Sequence, residues 1–342
     1  MDKPDTSVVI PTRNRPDDLR RALTSVAQQD ALPAVAEVVV IENSTNHASR
    51  EVCKEFGNLP IKWLHNEPPL PMSAWANRVF RSPQPDSKFF ALLCDDDWWY
   101  PSHLGQSRRA LLRSPDRVAA WSRVVEYNER LMTGFPRGHA LWLVTDHRME
   151  ELEVTVSLKE MLVANLLTTA THVSGFVGRQ SAIQAVLPGV CNGNPFDIDR
   201  HLAVLLATRG VSVFLTSPTV GVRQHHEQES RTLGATNEAR EWWRMTTREI
   251  IDISKKHGID LGSELSELAA RRPGCFATLV GNAYFDGVAY VGTVTDLPSS
   301  LRAARRRFIT ASWLKRLFTP AALRAIGMRR WVDEAAGQSA LA

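Results

Sequence analysis

Residues 7–15 read Ser-Val-Val-Ile-Pro-Thr-Arg-Asn-Arg, a β-branched run that ends at a proline and is followed by a basic, polar segment. Such a run predicts a short buried strand that leads into a loop. Beyond the loop, Leu19, Leu23 and Val26 recur at helical spacing, so a helix is expected up to Gln29. The chain therefore begins with a strand and a helix in succession.

This alternation of strands and helices repeats over the first hundred residues. Apolar strands are expected at 37–41, 61–64 and 89–93, and helices at 50–56 and 75–80. Strands and helices that alternate at this spacing form βαβ units. The sequence therefore predicts an α/β fold with a doubly wound, mostly parallel sheet.

Polar clusters follow three of the predicted strands at the points where the strands end. They are residues 12–15, residues 42–43 and the run Asp95, Asp96 and Asp97. Ligands of such sheets bind beyond the carboxyl ends of the strands. We therefore expect a binding site at this edge of the sheet.

The later part of the chain is predicted to be mainly helical. A capping box formed by Ser157 and Glu160 marks the start of one helix, and only helices are expected after residue 235. The expected later elements are a helix at 157–165, strands at 172–177 and 211–215, a helix at 197–208, and helices at 238–257, 263–271, 275–290, 299–317 and 320–331.

The composition excludes several classes of protein. Hydrophobic residues make up 44% of the chain and charged residues 23%, which excludes disordered and low-complexity proteins. The four cysteines form no C-x-x-C pair, which argues against a disulfide framework or a structural zinc site. No signal peptide and no apolar run of roughly 18–20 residues is visible, so a cytoplasmic protein is expected, with attachment to a membrane surface as an open alternative.

The formal net charge of +4 is too small to indicate a nucleic-acid partner, and it is unevenly distributed. Residues 301–342 contain nine Lys or Arg and two Asp or Glu, a net charge of +7. On a helix, residues 301–331 present an apolar stripe edged with cations. This segment either contacts an anionic membrane peripherally or packs on the rest of the chain, and the sequence leaves both open. No nucleic-acid recognition motif accompanies the charge.

The absence of two nucleotide-binding motifs argues against a P-loop NTPase and a dinucleotide-dependent oxidoreductase. The sequence contains neither G-x-x-x-x-G-K-[ST] nor G-x-G-x-x-G after the first strand. A divalent metal on carboxylates is the usual alternative for holding a diphosphate, because Mg²⁺ and Mn²⁺ prefer oxygen ligands. Asp95, Asp96 and Asp97 supply such ligands, and the alternative for them is a solvated acidic turn or a helix N-cap.

With these motifs in this order, the sequence resembles the inverting family 2 glycosyltransferases with the GT-A fold. The family moves a sugar from a nucleotide-diphosphate donor, usually with a divalent metal, and inverts the anomeric carbon. The resemblance covers roughly residues 5–232, and it implies a GT-A catalytic domain at 1–232 and a helical C-terminal region at 233–342. The matching stretches are 8–15, 39–44, Asn77, 92–98, 196–202 and 222–226.

The resemblance implies a set of donor-binding residues. The loop after the first strand matches the loop that surrounds the nucleotide, and Glu42 matches the acidic residue that contacts the base. Two positions depart from the family pattern, because Glu42 is followed by Asn-Ser rather than Asp-Gly-Ser and Ala76 replaces an arginine. The implied nucleotide-sugar-binding residues are Pro11, Thr12, Arg13, Arg15, Glu42, Asn43, Asn77, Asp95 and Asp96.

The implied cofactor is a divalent metal, Mn²⁺ or Mg²⁺. The acidic motif permits two registers: Cys94 occupies the first aspartate position in one, and Asp95 and Asp97 form an Asp-x-Asp pair in the other. Asp97 is the predicted direct ligand in both registers. An Arg-x-His element after the last strand implies His225 as a further ligand, since a neutral imidazole binds Mn²⁺.

Inversion by single displacement requires a general base that takes the proton of the acceptor. The resemblance implies Asp199 as this base, with Ile198 in place of the usual glutamate, and Asp197 is the second catalytic candidate. The alternative for Asp197 is N-capping of the helix at 197–208, and for Asp199 it is a favourable helix-dipole charge.

The sequence therefore predicts a metal-dependent inverting glycosyltransferase that acts on a small-molecule, glycan or lipid-linked acceptor. His172, Ser174 and Trp121 lie where relatives form the acceptor pocket, and the alternative for each is a core or strand position. A degenerate GT-A domain that binds a nucleotide sugar or a partner without turnover is the alternative function. A nucleotidylyltransferase fits less well, because the loop after the first strand contains no glycine.

Overall fold

The computed structural model describes residues 3–128, 133–137, 141, 144–145, 151–167, 169–192, 197–225 and 237–271. The helices predicted at 275–290, 299–317 and 320–331, and with them the proposed membrane contact of residues 301–331, lie outside the described residues. Among the described helices, none is both long enough and apolar enough to cross a membrane.

One mixed sheet forms the centre of the fold. Its strands are β1 (Thr6–Thr12), β2 (Val35–Glu42), β3 (Ile61–His65), β4 (Phe89–Leu92), β5 (Trp98–Trp99), β6 (Arg117–Asn128), β7 (Thr133–Arg137), β8 (Glu153–Val156), β9 (Phe176–Arg179) and β10 (Val211–Gln224). The spatial order is β3-β2-β1-β4-β9-β6-β10-β5, with β7 paired to β6 and β8 to β10.

The direction of the strands confirms the prediction of a mostly parallel sheet. β3, β2, β1 and β4 are parallel neighbours, and β6 and β10 are also parallel to each other. β9 lies between these two groups and is antiparallel to both β4 and β6. The strands that begin the chain therefore end at one common edge.

Helices and 3-10 turns connect these strands. The helices are α1 (Pro16–Ala27), α2 (Ala48–Lys54), α3 (Met72–Arg81), α4 (His103–Leu112), α5 (Leu158–Leu167), α6 (Gln180–Asn192), α7 (Ile198–Ala207), α8 (Asn237–Lys256) and α9 (Leu261–Arg271). The 3-10 turns are at Leu32–Ala34 and Val173–Gly175.

Side chains of alternating strand residues divide the core into two layers, one on each face of the sheet. Val9 and Val39 belong to the cluster that α3, α5, α6 and α7 cover, whereas Val8 and Val40 belong to the cluster under α1, α2 and α4. All four valines are fully buried. Burial of one such side chain stabilises the fold by about 1.5–3 kcal/mol. Both layers of the core therefore help to hold the strands, and with them the strand ends, in place.

The predicted bounds of two strands were wrong. The strand expected at 172–177 begins only at Phe176, because the residues before it form a 3-10 turn. The strand expected at 211–215 continues to Gln224. Pro218 and Gly221 resemble turn signals, but Pro218 lies at a register irregularity where a missing N–H is tolerated. Gly221 leaves room for an indole, since a Cβ there would lie 2.2 Å from Trp98 Cε2.

The helices at the end of the described chain pack on the sheet-bearing part. Ile250 of α8 and Leu265 and Leu268 of α9 share a hydrophobic cluster with residues of α5 and α7. The boundary between residues 232 and 233 stays a prediction.

Candidate active site

The three aspartates lie in the turn between β4 and β5. The turn is closed by a hydrogen bond of 3.2 Å from the Asp97 N–H to the Cys94 carbonyl oxygen. β4 lies beside β1, so the aspartates are next to the loop that leaves β1. The parallel start of the sheet therefore brings two of the predicted polar clusters into contact.

Asp95 is directed toward the loop after β1. The Thr12 hydroxyl donates to Asp95 Oδ2 over 2.8 Å, and the Arg13 N–H donates to the same oxygen over 3.4 Å. Arg15 Nη1 lies 3.4 Å from Asp95 Oδ1. Burial raises the pKa of Asp95 to about 7, with a further increase from the charge of Asp96 and an opposing effect from Arg15. This carboxyl group is thus held by protein donors.

Asp96 contacts two side chains, the guanidinium of Arg15 and the imidazole of His225. Arg15 Nη1 is 3.3 Å from Asp96 Oδ2, and His225 Nε2 is 3.0 Å from the same oxygen. His225 is buried at the end of β10. The structure therefore places the predicted ligand His225 against Asp96 rather than against Asp97.

Asp97 is buried and accepts hydrogen bonds on both carboxylate oxygens. The Ser174 hydroxyl donates to Oδ2 over 2.5 Å, and the Arg223 N–H donates to Oδ1 over 3.2 Å. Burial, reinforced by the charge of Asp96, raises the pKa of Asp97 well above its usual range. Burial thus disfavours the ionised form of two carboxyl groups in one turn, Asp95 and Asp97.

The donor set in this turn fits a divalent metal that prefers oxygen. One ligand atom from each of Cys94, Asp96 and Asp97 lies within 4.8 Å of the other two. Burial and the charges of Asp97 and Asp96 raise the pKa of the Cys94 thiol well above its usual range. Sulfur ligands suit softer ions than Mg²⁺ or Mn²⁺, which leaves the two carboxylates as the fitting ligands.

A short segment before β9 connects this turn to α7. The Val173 N–H donates to Asp199 Oδ1 over 2.5 Å, and the Thr171 hydroxyl donates to the Asp199 carbonyl oxygen over 2.9 Å. The next residue, Ser174, donates to Asp97. His172 Nδ1 accepts the Ser174 N–H over 3.2 Å and lies 3.9 Å from Asp97 Oδ2. Residues 171–174 thus hold Asp97 and Asp199 in a fixed relation.

Asp197 lies in a different environment from Asp199. It occupies the position before α7, but its side chain makes no capping hydrogen bond, so the capping interpretation was wrong. It forms instead a buried ion pair of 2.9 Å with Arg200 Nη1. Burial raises the pKa of Asp197 to about 6, although the charge of Arg200 opposes the shift. Arg200 Nε also donates to the Asn165 carbonyl oxygen over 2.8 Å, which ties α7 to α5.

The loop after β1 is shaped by a residue in the left-handed region. Asn14 has a φ of 58°, a conformation that asparagine tolerates better than most residues. Its N–H donates to Glu42 Oε1 over 3.3 Å, and Glu42 is buried at the end of β2. Pro11 lies in β1 opposite Ile41 of β2. The turn at Asn14 thus directs the loop across the ends of β1 and β2.

Asn43, which follows β2, and Asn77, in α3, have partners outside the acidic turn. Asn43 Oδ1 accepts the Leu70 N–H over 2.8 Å and a hydrogen bond from Asn66 over 3.0 Å. Asn43 therefore holds the segment between β3 and α3. Asn77 Oδ1 accepts a hydrogen bond of 2.6 Å from Arg81 Nε on the same helix.

The structure therefore brings most of the predicted residues to one edge. Two connected groups form there, one around Asp95 and Asp96 and one around Asp97 and Asp199. Asp197 and Asn77 have other partners, and Trp121 is a buried core residue that packs on Phe176. The members of the first group are Thr12, Arg13, Arg15, Asp95, Asp96 and His225.

Some contacts of the site were not predicted. Ser174 was considered either for an acceptor pocket or as a core or strand residue, and its contact with Asp97 was not predicted. Arg223 donates its N–H to Asp97, and its guanidinium forms an ion pair of 2.5 Å with Asp18 of α1. In the sequence, only the position of Arg223 two residues before His225 indicated that it belongs to the site. No local pattern predicted its ion pair with Asp18.

Comparison with known proteins identifies the family. A family model described as glycosyl transferase family 2 matches residues 7–184, which is more than half of the chain. The chain belongs to glycosyl transferase family 2. No functionally curated protein matches the sequence at a significant level.

Solved structures show that this glycosyltransferase has the GT-A fold. One similar structure is S. aureus TarS 1-349 in complex with UDP-GlcNAc, with a TM-score of 0.59, 14% identity, and coverage of 90% of this chain and 81% of that chain. Another is the mannosyltransferase PcManGT from Pyrobaculum calidifontis in complex with GDP-Man and Mn²⁺, with a TM-score of 0.52, 14% identity, and coverage of 98% and 87%. At 14% identity, the similarity to these two structures shows a shared fold and no more.

Proposed function

We propose that this glycosyltransferase transfers a sugar by metal-dependent single displacement with inversion. An acceptor hydroxyl oxygen would attack the anomeric carbon as the bond to the nucleoside diphosphate breaks, and Asp199 would take the hydroxyl proton. The observation that supports this most directly is the segment 172–174, which contacts Asp97 through Ser174 and Asp199 through Val173. A carboxylate suited to a metal and a carboxylate suited to a base are thus held by neighbouring residues.

Asp96 and Asp97 are the proposed metal ligands, and His225 adjoins them through Asp96. The burial of Asp97 favours this role, because a divalent cation would offset the charge that burial otherwise disfavours. A bound Mn²⁺ or Mg²⁺ would neutralise the charge of the leaving diphosphate. Asp95 remains a candidate ligand, but its contacts with Thr12 and Arg15 favour a role in positioning Arg15.

The proposed donor is a nucleotide-diphosphate sugar. The similar TarS structure contains UDP-GlcNAc, and the similar PcManGT structure contains GDP-Man and Mn²⁺. Glu42 lies at the end of β2 beside the Asn14 N–H, a position suited to contact with the nucleoside. Arg13 and Arg15 flank Asn14 in the same loop, and Arg15 contacts Asp95 and Asp96. The positive charge of these two arginines suits phosphate oxygens. The proposed acceptor is a small molecule, a glycan or a lipid-linked compound.

Asp199 is the proposed base because its surroundings suit proton transfer better than those of Asp197. Its side chain is half-buried, in the first turn of α7, and one oxygen is oriented by the Val173 N–H. Asp197 is more deeply buried and is paired with Arg200. Its proposed role is to hold the start of α7, and with it Asp199, in position.

A donor panel tests the proposed function. UDP-, GDP- and dTDP-sugars would be incubated with the full chain and Mn²⁺, with and without mixed acceptors, and the released nucleoside diphosphate would be measured. We expect release with at least one donor, dependence on the metal, and a product whose NMR coupling shows the inverted anomer. Tight binding without release for every donor would favour the binding-only alternative, and a retained anomer would contradict the single displacement.

A further inference from the structure

We propose a second metal site, formed by His47, His65 and Glu67, that binds an imidazole-preferring divalent ion such as Zn²⁺. His65 ends β3, Glu67 follows two residues later, and His47 precedes α2. One ligand atom from each of the three lies within 4.8 Å of the other two. Two imidazoles and one carboxylate are a common ligand set for Zn²⁺ that leaves a fourth position for water.

The hydrogen bond made by His65 Nε2 leaves the other ring nitrogen, Nδ1, available to bind a metal. His65 Nε2 lies 2.8 Å from the Ser44 carbonyl oxygen. A carbonyl oxygen only accepts, so Nε2 holds the proton and, in the neutral ring, Nδ1 holds the lone pair. Metal-binding histidines typically donate their other N–H to such a carbonyl or to a carboxylate, which orients the ring. His65 thus already has the partner expected of a metal ligand.

The distance between His65 and Glu67 fits a shared ion better than a direct hydrogen bond. His65 Nδ1 and Glu67 Oε2 are 3.9 Å apart, which is too long for a hydrogen bond. Two ligands of one tetrahedral Zn²⁺ lie about 3.4 Å apart, given metal–ligand distances of about 2.0–2.1 Å. A small movement of the exposed Glu67 side chain would therefore complete this pair.

The rings around the site hold one histidine firmly and leave the other adaptable. His65 stacks on Trp63 at a centroid distance of 5.4 Å, and the Trp63 indole N–H donates to Ser49 Oγ over 2.9 Å. The His65 side chain is only 9% exposed. His47 is exposed, and its ring centroid lies 4.4 Å from that of His65. A fixed ligand beside two movable ones can adjust to an ion without disturbing the core.

This site is separate from the aspartate turn, because β2 and β1 lie between β3 and β4 in the sheet. Asn66 lies between His65 and Glu67 in the sequence, and its side chain is directed to Asn43 instead. The ligand types also differ, because imidazole suits Zn²⁺, Ni²⁺ and Cu²⁺, whereas carboxylates suit Mg²⁺ and Mn²⁺. An ion bound by His47 and His65 would join the segments after β2 and β3, the same two segments that Asn43 joins.

Metal titration of the full chain tests this site. Zn²⁺ affinity would be measured by calorimetry, and Cu²⁺ would be added for electron paramagnetic resonance, where bound nitrogens split the signal. We expect His47→Ala to lower Zn²⁺ affinity at one site at least tenfold and to remove one nitrogen from the Cu²⁺ spectrum. Glu67→Gln should also weaken Zn²⁺ binding. Both residues are exposed, so both variants should fold.

Three control variants separate this site from others. His257→Ala removes an exposed histidine far along the chain, and Asp97→Asn and His225→Ala alter the aspartate turn. All three should keep the Zn²⁺ site that His47→Ala loses. Equal Zn²⁺ affinity and an unchanged Cu²⁺ spectrum in His47→Ala would overturn the proposal, as would loss of the same site in Asp97→Asn or His225→Ala.

Discussion

The Ser174 hydroxyl donates a hydrogen bond of 2.5 Å to Asp97 Oδ2, and the same Ser174 oxygen accepts the Cys94 N–H over 3.1 Å. Ser174 is completely buried. One hydroxyl therefore joins both ends of the acidic turn to the segment before β9. Together with the Arg223 N–H, which donates to the other carboxylate oxygen, this contact fixes the direction in which the Asp97 carboxylate faces.

We expect Ser174→Ala to weaken metal binding without unfolding the protein. Loss of a partner that orients a metal ligand typically lowers metal affinity roughly 10- to 100-fold. The Mn²⁺ concentration needed for half-maximal donor binding should rise by that factor, as measured by calorimetry. Ser212→Ala is the matched control, because the Ser212 hydroxyl is buried and has no hydrogen-bond partner in the described structure. An unchanged Mn²⁺ requirement in Ser174→Ala would contradict the role of this contact.

We expect Asp97→Asn to abolish metal-dependent donor binding. The substitution keeps the shape of the side chain and removes the charge that a divalent ion requires. Affinities for UDP and GDP would be compared with and without Mn²⁺, and the Mn²⁺-dependent part should disappear. Asp86→Asn, at an exposed position, should behave as the wild type. Equal Mn²⁺-dependent affinity in Asp97→Asn and the wild type would exclude Asp97 as a ligand.

We expect Asp199→Asn to bind the donor normally and to lose transfer. Removal of a general base lowers kcat by roughly 10²- to 10⁴-fold. Donor affinity and the thermal midpoint should stay near the wild-type values, and kcat would be measured by release of nucleoside diphosphate.

The behaviour of Asp197→Asn provides the comparison for Asp199→Asn. Breaking a buried ion pair costs about 3–5 kcal/mol, so Asp197→Asn should lower the thermal midpoint as well as the rate. If Asp199→Asn retains kcat within about tenfold of the wild type, the base lies elsewhere, and Asp197 is the first residue to test.

We expect His103 to contribute to acid denaturation. Burial lowers the pKa of the His103 imidazole to about 3, whereas an unfolded histidine titrates near 6.5. Between these values the unfolded state binds the extra proton, so stability is full above about pH 6.5 and falls as the pH decreases toward 3. The slope from this group approaches about 1.4 kcal/mol per pH unit.

Urea denaturation between pH 4 and 7, with a chelator present, measures this slope. The replacement His103→Gln should reduce the dependence of the free energy of unfolding on pH, whereas His257→Gln, at an exposed position, should leave it unchanged. Identical slopes for His103→Gln and the wild type would show that His103 is already protonated or exposed.

The sequence was sufficient to predict the parallel part of the sheet and the edge at which the site forms. Those features depend on local patterns, such as the apolar runs of β1 and β4 and the polar residues at their ends. The orientation of side chains was not predictable in the same way. Asp95 and Asp97 are two residues apart, yet Asp95 contacts Thr12 and Asp97 contacts Ser174. These partners are 83 and 77 positions away, beyond any local pattern.

The length of β10 was underestimated for a related reason. Proline and glycine are read as turn residues from the local sequence, although Pro218 lies at a register irregularity and Gly221 makes room for Trp98. Both are tolerated because of neighbouring strands, which a local pattern does not contain. The contact of the Arg223 N–H with Asp97 was hidden by the same limit, whereas His225 was indicated by the family resemblance.

The extension of β10 also determines when the site is complete during synthesis. Arg223 and His225 contact residues that precede them by 126 and 129 positions. Contacts of such long sequence separation are slow to form, because ordering the intervening chain costs entropy. A nascent chain on the ribosome that ends before residue 211 contains all three aspartates, but it lacks the Arg223 N–H and the His225 imidazole. A chain of that length therefore cannot form these two contacts with Asp97 and Asp96, and the site is complete only after most of the protein has been translated.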